Sequence, residues 1–365
     1  MHILILNWRD PKNPLSGGAE YVTMQHAKAW VKKGNTVTWF TSSFKKAKYI
    51  QHRDGVQFIR KGNAYTVHLH AAWYYLFSKE KFDVVIDEIH GIPFFTPLYV
   101  RKSKIIAFIH EVAGDIWDYM YPFPFNKIGK FVERIYFSFY KHIPFWTDAN
   151  STIDELVTMG IPRKNCVAIA CPISNKVIAY IPKKENNPTY IFVSRLVKMK
   201  GIENILQTFS IIAKKQKNAQ LWIVGGGNKK YVAYLYKLSK KLGITDQTIL
   251  WGKVSEQKKL ELLRKAHLLL HASVKEGWGL VILEAASQAT PSVVYNVAGL
   301  KDSVKNNKTG IIVKENMPNK LAQVAINLFV NSEKYKKLQK ESLKWAKSLT
   351  WEDITKESLQ LLKTV

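Results

Sequence analysis

Two glutamates stand eight residues apart in "SVKEGWGLVILEAAS" (273–287). Glu276 precedes a Gly-Trp-Gly turn, and Glu284 lies within the apolar run Val281, Ile282, Leu283, Ala285, Ala286. The preceding "HLLLHAS" reads as a buried strand and "LVILEAAS" as the helix after it. Glu276 then falls in the strand-to-helix loop and Glu284 about one turn inside the helix. A helix apolar on every side is buried, and a lone carboxylate there is costly unless hydrogen-bonded. Glu284 therefore needs a donor, and the vicinal diol of a ribose would offer an O–H to each of its oxygens. Gly277 and Gly279 free the backbone amides at the helix start, through Trp278 and Leu280, to meet a phosphate or a sugar hydroxyl. Glu276, at the mouth, can accept hydrogen bonds from a sugar ring and sit beside developing positive charge. The ordinary alternative, a salt-bridged surface glutamate, does not account for both residues and the glycines together.

Three further stretches carry candidate chemistry. "NPLSGGAEYV" (13–22) follows a first strand and opens its helix, so Gly17 and Gly18 let the backbone approach a ligand closely. It is not a G-x-G-x-x-G fingerprint, and a structural turn explains it equally well. "FVSRLVKMKGIENI" (192–205) ends another strand with Arg195, followed by Lys200 and Gly201. A guanidinium fork and an ammonium at a strand end suit a diphosphate, or are simply surface bases of a basic chain. His110 ends "KIIAFIH", where it serves either a site or local packing. His68 and His70 share one face of a strand-like run but lack a third ligand, so no metal site is expected.

The elements that must position these residues alternate. "HILIL" (2–6), "TVTWF" (36–40), "DVVI" (83–86), "KIIAFI" (104–109) and "HIPFWT" (142–147) read as strands, with helical patterns such as "AEYVTMQHAKAWVKKG" (19–34) between several of them. Residues 172–188, "PISNKVIAYIPKKENNP" with its proline and asparagines, read as a linker. A second series follows at 189–195, 219–227, 247–253, 266–273 and 291–296. Alternation of this kind argues for open parallel sheets, here two Rossmann-like domains in tandem: residues 1–172 and 189–346 around a linker at 173–188. Open parallel sheets bind ligands beyond the C-terminal ends of their strands, and most of the unusual residues fall there.

The chain has 365 residues, a net charge of +27 and 47% hydrophobic residues. Up to residue 170 it holds 22 basic and 14 acidic residues, and beyond it 33 and 14, which gives excesses of +8 and +19. Such a field attracts anions: nucleic acid, an anionic bilayer or phosphorylated ligands. No uncharged apolar run is long enough to predict a membrane-spanning helix. "MHILILNWRD" reads as a first strand rather than a secretory leader, and a cytoplasmic location is expected. Cys166 and Cys171 are expected to be reduced thiols.

Taken together, "EGWGLVILEAAS" resembles the E-x7-E signature of retaining glycosyltransferases of family 4. "SGGAE" and "SRLVKMKG" match two more motifs of that family in the expected order. "YNVAGLKDSVKNNKTGIIV" (295–313) resembles the segment after E-x7-E, and "LTWEDITK" the start of a terminal helix, about 347–365, that crosses back to the first domain. The resemblance covers nearly the whole chain. It implies the GT-B architecture, an α/β fold of two Rossmann-like domains facing across a deep cleft. It further implies that Arg195 and Lys200 hold the donor diphosphate, with Gly17 and Gly18 approaching from the opposite wall. Glu284 would bind the ribose, Glu276 and the backbone of Gly277 to Leu280 the transferred sugar, and "WGKV" (251–254), ending at Val254, the base. His110 sits where the family often has an active-site histidine. Trp278 replaces a more usual phenylalanine, and "CPISN" a commoner Pro-Asn-Gly turn.

The implied reaction moves a hexose from a UDP- or GDP-linked sugar to a glycan or lipid-linked acceptor with retention, needing neither metal nor cofactor. A nucleotide-sugar epimerase of the same fold is the alternative; a nucleic-acid-binding protein would have no use for a buried E-x7-E. Residues 116–146 hold twelve aromatics with Lys127, Lys130, Arg134 and Lys141. That mixture suits a bilayer interface or a lipid-phosphate acceptor, with the protein peripheral on the cytoplasmic face of the membrane. The helical spacing of Phe131, Ile135 and Phe139 favours an ordinary core stripe for that helix, whereas "YMYPFPF" reads as an exposed loop.

Overall fold

The computed structural model describes residues 1–364 and separates into two units, Met1–Cys171 with the C-terminal segment from Trp351, and Pro172–Thr350. In the first, β1 (His2–Leu6), α1 (Gly18–Lys32) and β2 (Thr36–Thr41) are followed by the hairpin of β3 (Ile50–Arg53) and β4 (Val56–Arg60). Next come α2 (Val67–Phe77), β5 (Val84–Ile89), β6 (Lys104–Ile109), α3 (Ile116–Met120) and α4 (Phe125–Ser138). β7 (Phe145–Thr147), α5 (Asn150–Thr158) and β8 (Cys166–Ala168) complete the series. The sheet order is β3-β4-β2-β1-β5-β6-β7-β8, parallel except for β3. β1 is buried along most of its length and pairs with β2 and β5, as its apolar run requires.

The second unit is a complete doubly wound sheet. It comprises β9 (Thr189–Val193), α6 (Ile202–Lys215), β10 (Gln220–Val224), α7 (Lys229–Lys241), β11 (Thr248–Gly252) and α8 (Glu256–Lys265). β12 (Leu268–His271), α9 (Leu280–Ser287), β13 (Ser292–Val294), α10 (Leu300–Ser303) and β14 (Gly310–Ile312) follow, then α11 (Pro318–Val330) and α12 (Ser332–Ser348). The strand order β11-β10-β9-β12-β13-β14 reverses direction between β9 and β12. Chain exits on either side of that switch point leave a crevice at the C-terminal ends of those two strands. The last helix, α13 (Trp351–Thr364), packs on α1 in the first unit, where the Trp30 indole donates to Ser358 Oγ at 3.0 Å.

Several expectations need correction. β3, β4, β8 and β14 were not anticipated, and the strand expected at 142–147 is confined to Phe145–Thr147. His68 and His70 lie on helix α2, not on a strand. Phe131, Ile135 and Phe139 are no core stripe: they are 65%, 46% and 44% exposed, while α4 buries Gly129, Glu133, Tyr136 and Phe137. Residues 173–188 form neither helix nor strand, yet they are fastened to the second unit. Lys184 Nζ donates to Thr290 Oγ1 at 2.7 Å and Arg264 O at 3.0 Å, and burial pushes its pKa down to about 7.

Candidate active site

The second unit brings Lys200 and Glu276 together at its switch point. Beyond β9 the chain passes exposed Arg195 and turns through residues 198–200 to Gly201. Gly201 has φ +70°, and a Cβ there would lie 1.9 Å from Ala272 O, so only glycine lets this turn rest on the end of β12. Val274 N donates to Met199 O at 2.9 Å and Ser273 Oγ to the same carbonyl at 3.1 Å, locking the turn to the β12 loop. Lys200 Nζ consequently sits 2.7 Å from Glu276 Oε1, with the two side chains 11% and 14% exposed. His271 Nε2 lies 3.7 Å from the same oxygen. Burial drives the Glu276 carboxyl up, but the Lys200 charge and its hydrogen bond outweigh this and hold it below the usual carboxylate range. Burial keeps His271 neutral, its pKa lowered to about 4.

The Glu276 loop is shaped by backbone. Gly299, at φ +76°, presses on it so closely that a Cβ would be 2.2 Å from Glu276 O. Gly279, at φ +82°, caps α9 without a side-chain acceptor, so the first amides of α9, from Leu280 on, have no side-chain cap. Gly277, Gly279 and Leu280 are partly buried, and Trp278 is buried with its indole N–H lacking a protein partner among the described residues. Glu284, in α9, has its required donor within the protein: Lys259 Nζ of α8, 2.8 Å from Oε1. Burial nevertheless raises the Glu284 pKa, which Lys259 offsets only in part. Val254, after β11, packs beside Trp251 on the core cluster of this sheet face.

The first unit collects its own charged cluster at strand ends. Gly17 and Gly18 are exposed at the start of α1, and Gly17 N donates to Glu20 Oε2 at 2.6 Å. Glu20 is fully buried and pairs with Arg9 Nε at 2.7 Å. His110, beyond β6, is held by two carboxylates: Nδ1 lies 2.5 Å from Asp148 Oδ2 and Nε2 3.3 Å from Glu88 Oε1. Burial alone would lower the His110 pKa, but Asp148 and Glu88 prevail and raise it to about 10. His110 is thus an imidazolium at neutral pH, donating from both nitrogens. Sequence reasoning missed Glu20, Glu88, Asp148 and Lys259, although Glu20 lies inside the motif "SGGAE".

Two sequence-family models account for most of the chain: one described as Glycosyltransferase Family 4 matches residues 16–176, and one described as Glycosyl transferases group 1 matches residues 175–345. The chain belongs to glycosyltransferase family 4. Its fold is that of the GT-B enzymes. A sucrose-phosphate synthase from Thermosynechococcus elongatus superposes with a TM-score of 0.80 at 15% identity, covering 100% of this chain and 98% of that one. HepE of Anabaena, solved in complex with UDP and glucose, superposes with a TM-score of 0.77 at 15% identity over the whole of both chains. In sequence, a GDP-mannose-dependent phosphatidylinositol monomannoside mannosyltransferase of Mycobacterium tuberculosis is 28% identical over 158 residues, 40% of each chain. The family 4 chain spans about two fifths of the length of the curated relatives it matches. Among the described residues no helix is long and apolar enough to cross a membrane, and no group of three or more His, Cys, Asp or Glu side chains is arranged to hold a metal ion.

Proposed function

We propose that this family 4 protein transfers a hexose, with retention of anomeric configuration, from a UDP- or GDP-linked donor to a glycan or lipid-linked acceptor on the cytoplasmic side of the membrane. The observation that carries the reading is the Lys200–Glu276 pair, 2.7 Å apart at the switch point of the second sheet. Lys200, Arg195 and the α9 amides supply positive charge for a departing nucleoside diphosphate, so the chemistry asks for no divalent cation. The ammonium of Lys200 has three donors, one spent on Glu276, which leaves two for phosphate oxygens. Within the second unit, Glu284 serves the ribose and Val254 lies in the base loop.

In the proposed step the bond from the anomeric carbon to the phosphate oxygen breaks as the acceptor oxygen attacks from the same face. The acceptor proton passes to the departing phosphate oxygen, which balances charge without a protein base. Glu276, held ionised by Lys200, faces the oxocarbenium character of the transition state. His110 has both of its N–H groups engaged by Asp148 and Glu88, so it has no free nitrogen to serve as the base of this step. Glu276→Ala is expected to lower kcat by at least about a hundred-fold while donor Kd changes by less than about five-fold. Steady-state kinetics with calorimetric donor binding makes the comparison, and NMR of the product assigns its anomer. An inverted product, or a variant changed only in donor Kd, would overturn the scheme.

A further inference from the structure

α4 presents Ile128, Phe131, Val132, Ile135 and Phe139 outward, each between 44% and 65% exposed. Their spacing of three, four, seven and eleven residues from Ile128 draws one stripe along the helix. α2 repeats the pattern with Leu69, Trp73 and Leu76, exposed by 76%, 62% and 55%. The two helices lie on the same side of the first sheet. α2 packs on Leu4, Leu6 and Val85, and α4 on Ile89, Ala107 and Ile109. Alternation along β5 puts Val85, Asp87 and Ile89 on one face, and Tyr140, just past α4, donates to Asp87. The segment between the helices is stitched to both, through His68 on Phe94 and Phe95 on Phe139, and it exposes Ile92 and Leu98.

An apolar surface of this extent marks an interaction site. Its charged border is basic. On α4, Lys127 and Arg134 flank one side of the stripe, and Lys141 follows just beyond; all three are exposed and none makes an ion pair among the described residues. The neighbouring acids Asp115 and Asp118 are both occupied by Lys130, at 2.8 and 2.6 Å. Arg101 and Lys102, also exposed, follow Leu98.

We infer that this face of the first unit docks on an anionic lipid bilayer, with α2 and α4 lying in the interface plane. Aromatic and aliphatic side chains enter the headgroup boundary while the basic flank meets lipid phosphates. The inference deepens the acceptor side of the proposed reaction, since it brings the enzyme to an acceptor carried in the membrane.

Flotation of the full chain with phosphatidylcholine vesicles, with and without phosphatidylglycerol, tests this. The wild type is expected to bind the anionic vesicles at least about ten-fold better than the neutral ones, with binding weakened by added salt. The double variant Phe131→Glu/Ile135→Glu should lose at least about ten-fold of it. Both residues are exposed, so an unchanged Tm checks that the variant folds. Nucleotide-sugar binding in solution, measured by calorimetry, should be equal in the two proteins. Its loss in both would sink the transferase reading and leave the docking result standing. No vesicle binding by the wild type, or equal binding by the variant, overturns the inference. So does a wild-type dimer in sedimentation that the variant breaks without any vesicle binding.

Discussion

Replacing Lys200 with methionine keeps the aliphatic stem and deletes the ammonium 2.7 Å from Glu276. The abandoned carboxylate is 14% exposed and gains little water. Breaking a buried pair from one side costs about 3–5 kcal/mol, and the residual solvent contact here reduces that to about 2–4 kcal/mol at neutral pH. For a unit of this size the loss lowers Tm by roughly 5–12 °C. The pH dependence gives the sharper signature. In the wild type the Glu276 pKa is depressed, so its contribution is present above the unfolded-state pKa and is lost as pH falls through the folded value. In Lys200→Met burial is opposed only by His271 and the Ser273 hydrogen bond, and the carboxyl titrates higher than in the wild type. The variant therefore recovers stability relative to wild type on acidification, and the gap is widest at about pH 7–8 and narrows below about pH 5. Urea unfolding of both proteins at neutral and acid pH measures the gap. Lys200→Met/Glu276→Gln should lose less than Lys200→Met alone, because no charge is stranded. A gap below about 0.5 kcal/mol, or one that ignores pH, would refute the argued coupling.

Two further outcomes follow from the same geometry. The wild-type advantage over His110→Gln, about 2–4 kcal/mol, should be complete below the ordinary histidine pKa of 6.5 and vanish as pH rises through about 10, because the folded-state value is raised. Thermal melts across that range read it, and a constant difference would contradict an imidazolium between Asp148 and Glu88. Gly201→Ala places a Cβ 1.9 Å from Ala272 O in a left-handed conformation, and should cost at least about 2 kcal/mol while displacing Lys200 and weakening nucleoside diphosphate binding. Tm and calorimetry of the same sample check both effects.

How far the fold could be read from the chain depended on what surrounds each element. β1 and β6 coincide with the runs "HILIL" and "KIIAFI", because buried parallel strands are apolar throughout and end where polar residues begin. The β3–β4 hairpin has a local sequence signal: Asp54 and Gly55, at φ +52° and +79°, form the D-G turn that joins its two strands. α2 misled because "VHLHAAWYYLF" is apolar on its outer as well as its inner side, which erases helical periodicity. The stripe on α4 has the same cause, since spacing reports that residues share a face but not which face is covered. At the site, the glycines and glutamates announced themselves by type. Lys259 did not, because its contact with Glu284 exists only through the packing of α8 on α9. Glu88 and Asp148 reach His110 from neighbouring strand ends, a proximity that only sheet order reveals.

The most direct test of the nucleotide-sugar assignment is calorimetric binding of UDP and GDP, each against its 2′-deoxy form, to wild type and Glu284→Gln. A carboxylate that grips the ribose diol gives the wild type about a ten- to hundred-fold preference for the ribonucleotide, the worth of a charge-assisted hydrogen bond, and the variant little or none. Failure of either nucleotide to bind, or equal preference in the two proteins, would contradict the role assigned to Glu284 and with it the placement of the donor.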